Sequence, residues 1–264
     1  MPSITSFRLP GSLLGANCVH RVAPMLSVPD GHLVIDARAL RAMDAVPLVL
    51  LRAAVERFAG RCETNSAWLK LPLDPAASAR FCHLIGTSAL PSRTELIGAE
   101  TDPPRPSDVL LAGCRLRDHE HRAEASKALT RALGLGRGRE VRRGRLAVEA
   151  LNALATNGFH YAPNSDIDVI VAACRAPGAG DLQVVTFDAG KAVADHQSPP
   201  AALDDIVRRS RAYPGNLSVV ESAAEQAFLR VLAGTGRLHW RQSARISETP
   251  HHVPGFLAIF EMPE

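Results

Sequence analysis

The sequence predicts an α/β protein in two parts, and three observations carry that prediction. Residues 1–100 alternate short apolar runs with helical apolar periods. Residues 101–107 hold Pro103, Pro104 and Pro106, which suit neither a helix nor a central strand. Residues 108–264 carry strand signals separated by amphipathic helices. The expected organisation is a domain over 1–100, a linker over 101–107 and a second domain over 108–264, a size suited to one large or two modest domains.

In the first part, His32 to Asp36 (HLVID) reads as a short apolar strand ending in an acid. Val46 to Phe58 (VPLVLLRAAVERF) has a helical apolar period. Ala67 to Leu71 (AWLKL) is a second strand, and the turn from Pro72 to Pro75 introduces a helix. That helix is Ala76 to Ile85, stopped by Gly86.

The second part opens on a strand, Asp108 to Cys114 (DVLLAGC). An amphipathic helix follows from His119 to Leu133, then a glycine break at 134–138. A second helix runs from Leu146 to about Tyr161. Asp166 to Cys174 and Asp181 to Phe187 are strands with mostly β-branched interiors. Ser222 to Leu232 (SAAEQAFLRVL) reads as a helix. Arg237 to Ser243 and Pro254 to Glu261 read as two closing strands.

Composition narrows the function classes. Of 30 basic residues three are lysine and 27 arginine, which together with much Ala, Gly and Pro fits a coding bias better than a functional choice. Net charge is only +3 and the arginines are spread out. The densest run, Arg137 to Arg145, reads as a solvated loop and helix start in preference to a nucleic-acid surface. Five cysteines without paired spacing read as reduced thiols of a cytosolic protein. No charged-then-apolar leader opens the chain and no apolar run approaches membrane-spanning length, so the expectation is soluble and cytoplasmic, with no membrane partner. His119 and His121 flank Glu120, but at i, i+2 on a helix they point about 200° apart and cannot share a metal. No G-x-S-x-G elbow and no P-loop is present.

The run VID, then MDAVPLVLLRAAV, then an LKLP strand end and a helix ending in Gly, over residues 32–86, resembles the STAS-like domains of bacterial regulatory proteins. Members switched by phosphorylation carry a hydroxyl residue after the acid of the turn. Here the turn reads Met43, Asp44, Ala45, Val46, so that resemblance implies no phosphoregulation at this point.

The richest stretch is Leu146 to Val171, LAVEALNALATNGFHYAPNSDIDVIV, followed by LQVVTFDAGKAV. Thr156-Asn157-Gly158-Phe159-His160-Tyr161-Ala162-Pro163 stands where histidine kinases read S-N-A-x-K-Y-T-P. With Asp188 and Gly190 after a strand, residues 108–264 resemble the GHKL-type ATP-binding domain of histidine kinases, gyrase and anti-sigma serine kinases. The resemblance implies an α+β two-layer sandwich in this half. It implies that Asn157 coordinates Mg²⁺, a role its neutral amide oxygen suits because it adds no repulsion against phosphate. It makes Asp188 the acceptor for the adenine amine and Gly190 the point where backbone approaches the base, with Tyr161 in the same nucleotide-binding run.

The departures are as informative. Hydrolysing members place a general base one turn before the Asn, where this chain has Ala153. Glu149 lies eight residues back, roughly 80° around the helix. Ala192 replaces the second glycine of D-x-G-x-G. The phosphate lid aligns with Asn216 to Ala227, which contains no glycine. The expected protein is a two-domain bacterial regulator whose GHKL-like half binds ATP or ADP with Mg²⁺, hydrolyses little or none, and controls a partner protein. The alternative is a vestigial site in a pure interaction module; partner identity and homo-oligomerisation stay open.

Overall fold

The computed structural model describes residues 3–15, 18–98, 103–134, 139–161, 169–178, 180–188, 216–223, 226–234, 237–245 and 256–262. The chain folds as an α/β protein with a four-stranded parallel sheet, a seven-stranded antiparallel sheet and a two-stranded parallel pair among its described residues. Chain order begins β1 (Ser3–Arg8), β2 (Ser12–Leu13), α1 (Val19–Val22), β3 (Gly31–Asp36), β4 (Ala42–Met43), α2 (Ala45–Arg61), β5 (Ser66–Lys70), α3 (Pro75–Ile85) and β6 (Thr94–Ile97). Both long helices start on an aspartate cap: Asp44 accepts from the Val46 amide, and Asp74 from the Ala77 amide with Pro75 at the first helical position. Gly86, at φ 68°, ends α3 in the left-handed conformation that glycine adopts without strain.

These strands form a four-stranded sheet in the order β1-β3-β5-β6, parallel throughout. The order advances in one direction, so crossovers of one hand deposit their helices on one face. Leu33, Ile35, Ala67 and Leu69 point to that face and join the core with α2. Alternation sends His32, Val34 and Trp68 to the other side, where His32 stacks on Trp68 at 5.4 Å and Ile4 is 66% exposed.

The chain continues through β7 (Val109–Leu116), α4 (His119–Ala132), α5 (Arg139–Tyr161), β8 (Val169–Arg175), β9 (Leu182–Asp188), β10 (Asn216–Ala223), β11 (Gln226–Gly234), β12 (Arg237–Arg245) and β13 (Phe256–Met262). The seven strands pair in the order β12-β11-β10-β13-β9-β8-β7, each pair antiparallel. The helix expected over Ser222–Leu232 is instead two strands, β10 and β11. An apolar run this short fits either period, and pairing with β13 and β12 decides for the strand.

Both faces of β8, β9 and β13 are buried. Ile170, Ala172, Cys174, Val185, Phe187, Leu257 and Ile259 pack into the core built around α2 and α3. Val169, Val171, Ala173, Val184, Ala258 and Phe260 pack on the opposite side with α4 and α5. The layers are therefore parallel sheet, α2 with α3, antiparallel sheet, α4 with α5.

Polar groups fix the seam between the halves. Arg52 of α2 is fully buried and donates to the carbonyls of Ile85 at 3.0 Å and Gly113 at 2.7 Å, while its Nε donates to Glu56 at 2.7 Å. Arg80 of α3 donates to the Met43 and Arg175 carbonyls at 2.9 Å and pairs with Asp108. A Cβ at Gly86 would overlap the Gly113 carbonyl oxygen, and one at Gly113 would overlap the Leu84 carbonyl oxygen. Two glycines thus let α3's end and β7 touch backbone to backbone.

Candidate functional site

The resemblance places its residues on the end of α5 and on β9. The α4–α5 pair sets the helix in position. Asp118 caps α4 by accepting from the Glu120 and His121 amides at 2.9 Å. Those amide bonds, with the His121 ring, hold the Asp118 carboxyl below its ordinary range. The two helices run antiparallel: His119 meets Phe159 edge-on at 5.6 Å, Arg122 donates to the Thr156 hydroxyl at 2.5 Å, and Ser126 donates to the Asn152 amide oxygen at 2.8 Å. Leu146, Ala147, Ala150, Leu151, Leu154 and Ala155 seat α5 on the antiparallel sheet.

That seating brings α5 onto the last residue of β9. A Cβ at Gly158 would lie 3.2 Å from the Asp188 Cβ and 3.3 Å from its Oδ2, and would overlap Val169. Asp188 is buried, at 3% exposure. So the helix position next to Asn157 and the carboxylate of Asp188 come from segments thirty residues apart and meet at one end of the sheet.

Asn157 and Tyr161 lie in the final turns of α5, and their side chains fall outside the described residues. Gly190 falls outside the described residues altogether. Ala153 is partly buried against the core beneath α5, and an apolar methyl there can accept no proton. Glu149, two turns before Asn157, is exposed. The segment aligned with the phosphate lid, 216–227, lies mostly in the β10–β11 hairpin, paired on both sides.

Gly158 was the signal missed in the sequence. A glycine inside a helix costs about 1 kcal/mol relative to alanine, so its presence marks a close approach. Among the described residues no group of three or more His, Cys, Asp or Glu is placed to hold a metal ion, and all five cysteines are free thiols. No described helix is long and apolar enough to cross a membrane.

No family model matches the chain, and no curated protein or solved structure matches it.

Proposed function

We propose that the chain binds an adenine nucleotide at the junction of α5 and β9, with little or no hydrolysis, and that binding controls a partner protein. The observation that supports this is the packing of Gly158 against the buried carboxylate of Asp188. A carboxylate at a strand end offers the acceptor that an exocyclic amine needs, and the bare α carbon of Gly158 leaves the carboxylate room. Asn157, one residue away, is the group assigned to Mg²⁺; a neutral amide oxygen suits a hard cation shared with phosphates. Ala153 in place of a base accounts for the absence of turnover in this reading.

The test is calorimetry with ATP and ADP, with and without Mg²⁺. Asp188→Ala leaves the adenine amine unpaired, and a hydrogen bond to a charged group contributes about 1.5–3 kcal/mol, so affinity falls roughly 10- to 150-fold. Asn157→Ala weakens the magnesium-dependent part alone. Wild type giving no heat with millimolar ATP removes the nucleotide reading. The chain is then an interaction module, a reading favoured by the partly exposed face of the parallel sheet around His32, Trp68 and Ile4.

A further inference from the structure

A second polar site lies at the seam, away from α5 and β9. A cleft of about 850 Å³ opens between the C-terminal turns of α2, the loop 89–93 after α3, the end of β7 and the first turn of α4. Its lining holds five arginines, at 52, 61, 93, 115 and 117, against two glutamates, at 56 and 63. That is a strongly cationic lining for a chain whose net charge is +3. Local concentration of one sign in a concave site draws anions.

The arginines differ in what holds them. Arg52 is spent on main-chain carbonyls and on Glu56. Arg93 is exposed and anchored through Nη1 to the Cys62 carbonyl at 3.0 Å, which leaves Nε and Nη2 of its fork for another acceptor among the described residues. Arg117 is exposed at the cleft's edge.

Glu56 supplies the independent observation. It is 7% exposed; its Oε1 accepts from Arg52, and its Oε2 has no hydrogen-bond partner among the described residues. Glu56 lines the cleft, so a donor seated at that wall faces a buried carboxylate oxygen left unpaired among the described residues. A simple anion satisfies the arginines and repels Glu56. A molecule with a phosphate or carboxylate at one end and an amine at the other satisfies both.

We propose that this cleft binds a small amine-bearing anion, its anionic end on Arg93 and Arg117 and its amine on Glu56. The probes are O-phosphoethanolamine and inorganic phosphate, titrated calorimetrically into the full chain. Phosphoethanolamine is expected to bind at least about 10-fold tighter than phosphate, the ratio a charge-assisted hydrogen bond gives. The Arg93→Ala, Arg117→Ala double variant, both positions being exposed, weakens both probes by a similar factor or more. Glu56→Gln removes the preference between the probes and leaves phosphate binding in place. Asp188→Ala changes neither, which separates this site from the nucleotide site. Loss of the Glu56→Gln variant to misfolding leaves the arginine pair and the probe ratio as the test. Failure of both probes to give heat at millimolar concentration overturns the proposal. So does binding that survives the double arginine variant, or equal affinity for the two probes in wild type.

Discussion

The two sheets invert the usual pattern of burial. Parallel sheets are ordinarily covered on both faces and antiparallel sheets on one. Here the parallel sheet packs one face on α2 and α3 and leaves His32, Trp68 and Ile4 on the other. The antiparallel sheet, along β8, β9 and β13, is buried on both. The same two helices serve both sheets, so the second sheet gains its extra layer from the first half of the chain. The coverage of a sheet is set by which neighbour shares its helices, and strand direction alone does not decide it.

If that sharing matters, the largest loss comes from Arg52, which joins α2 to β7. Arg52→Met strips Glu56 of its partner and removes the donor to the Gly113 carbonyl; removing one member of a buried pair costs about 3–5 kcal/mol. Urea denaturation measures it, and a loss under about 1 kcal/mol would show the seam to be dispensable. Next comes Gly86→Ala, which places a methyl onto the Gly113 carbonyl at a left-handed position. Overpacking of this kind costs about 1–3 kcal/mol, and the strain of a left-handed alanine adds to it.

A third change sharpens the comparison through pH. Asp44 is buried where α2 meets β9, accepting from the Gly15 amide and facing the Gln183 amide, which also donates to Glu261. Burial raises its carboxyl above the ordinary 3.8, and Glu261 adds to the rise, while bonds from Gly15, Val46 and Gln183 oppose it. A carboxyl raised on folding binds its proton more tightly in the native state. Its contribution is complete below 3.8 and is lost as pH rises through the native value. Asp44→Asn keeps a capping side chain and removes that slope. Its urea midpoint relative to wild type should therefore rise with pH from 3.8 upward; an unchanged difference would place the titration elsewhere. The smallest effect belongs to the bare face: Ile4→Thr should shift stability by no more than about 0.5 kcal/mol. A larger shift in dilute protein would mean that something covers that face.

Much of the element order was legible. HLVID, the long apolar period after Asp44 and the Gly86 stop became β3, α2 and α3, because period and caps are local signals. The edge strands β1 and β6 were not, since SITSFR and TELI carry polar residues that an edge tolerates and a pattern search reads as loop. Ser222 to Leu232, which falls in β10 and β11, was misread as a helix because so short an apolar run fits either period and only its pairing with neighbouring strands decides. At the candidate site Asp188 could be read from its place after a strand, whereas its contact with Gly158 required the tertiary packing of α5. The arginine cleft was not legible, because its residues span 52 to 121 and only the fold gathers them.

The position of β13 has a kinetic consequence. It sits between β9 and β10, and its Leu257 pairs with Phe187, seventy residues earlier. On the ribosome β7, β8 and β9 emerge well before it, leaving β9 with an open edge of unpaired amides and carbonyls. Closing a loop of that length is slow beside helix formation. Until the last strand arrives, the nascent chain presents a ready template for its own copies, and chaperone demand during synthesis should peak in that interval.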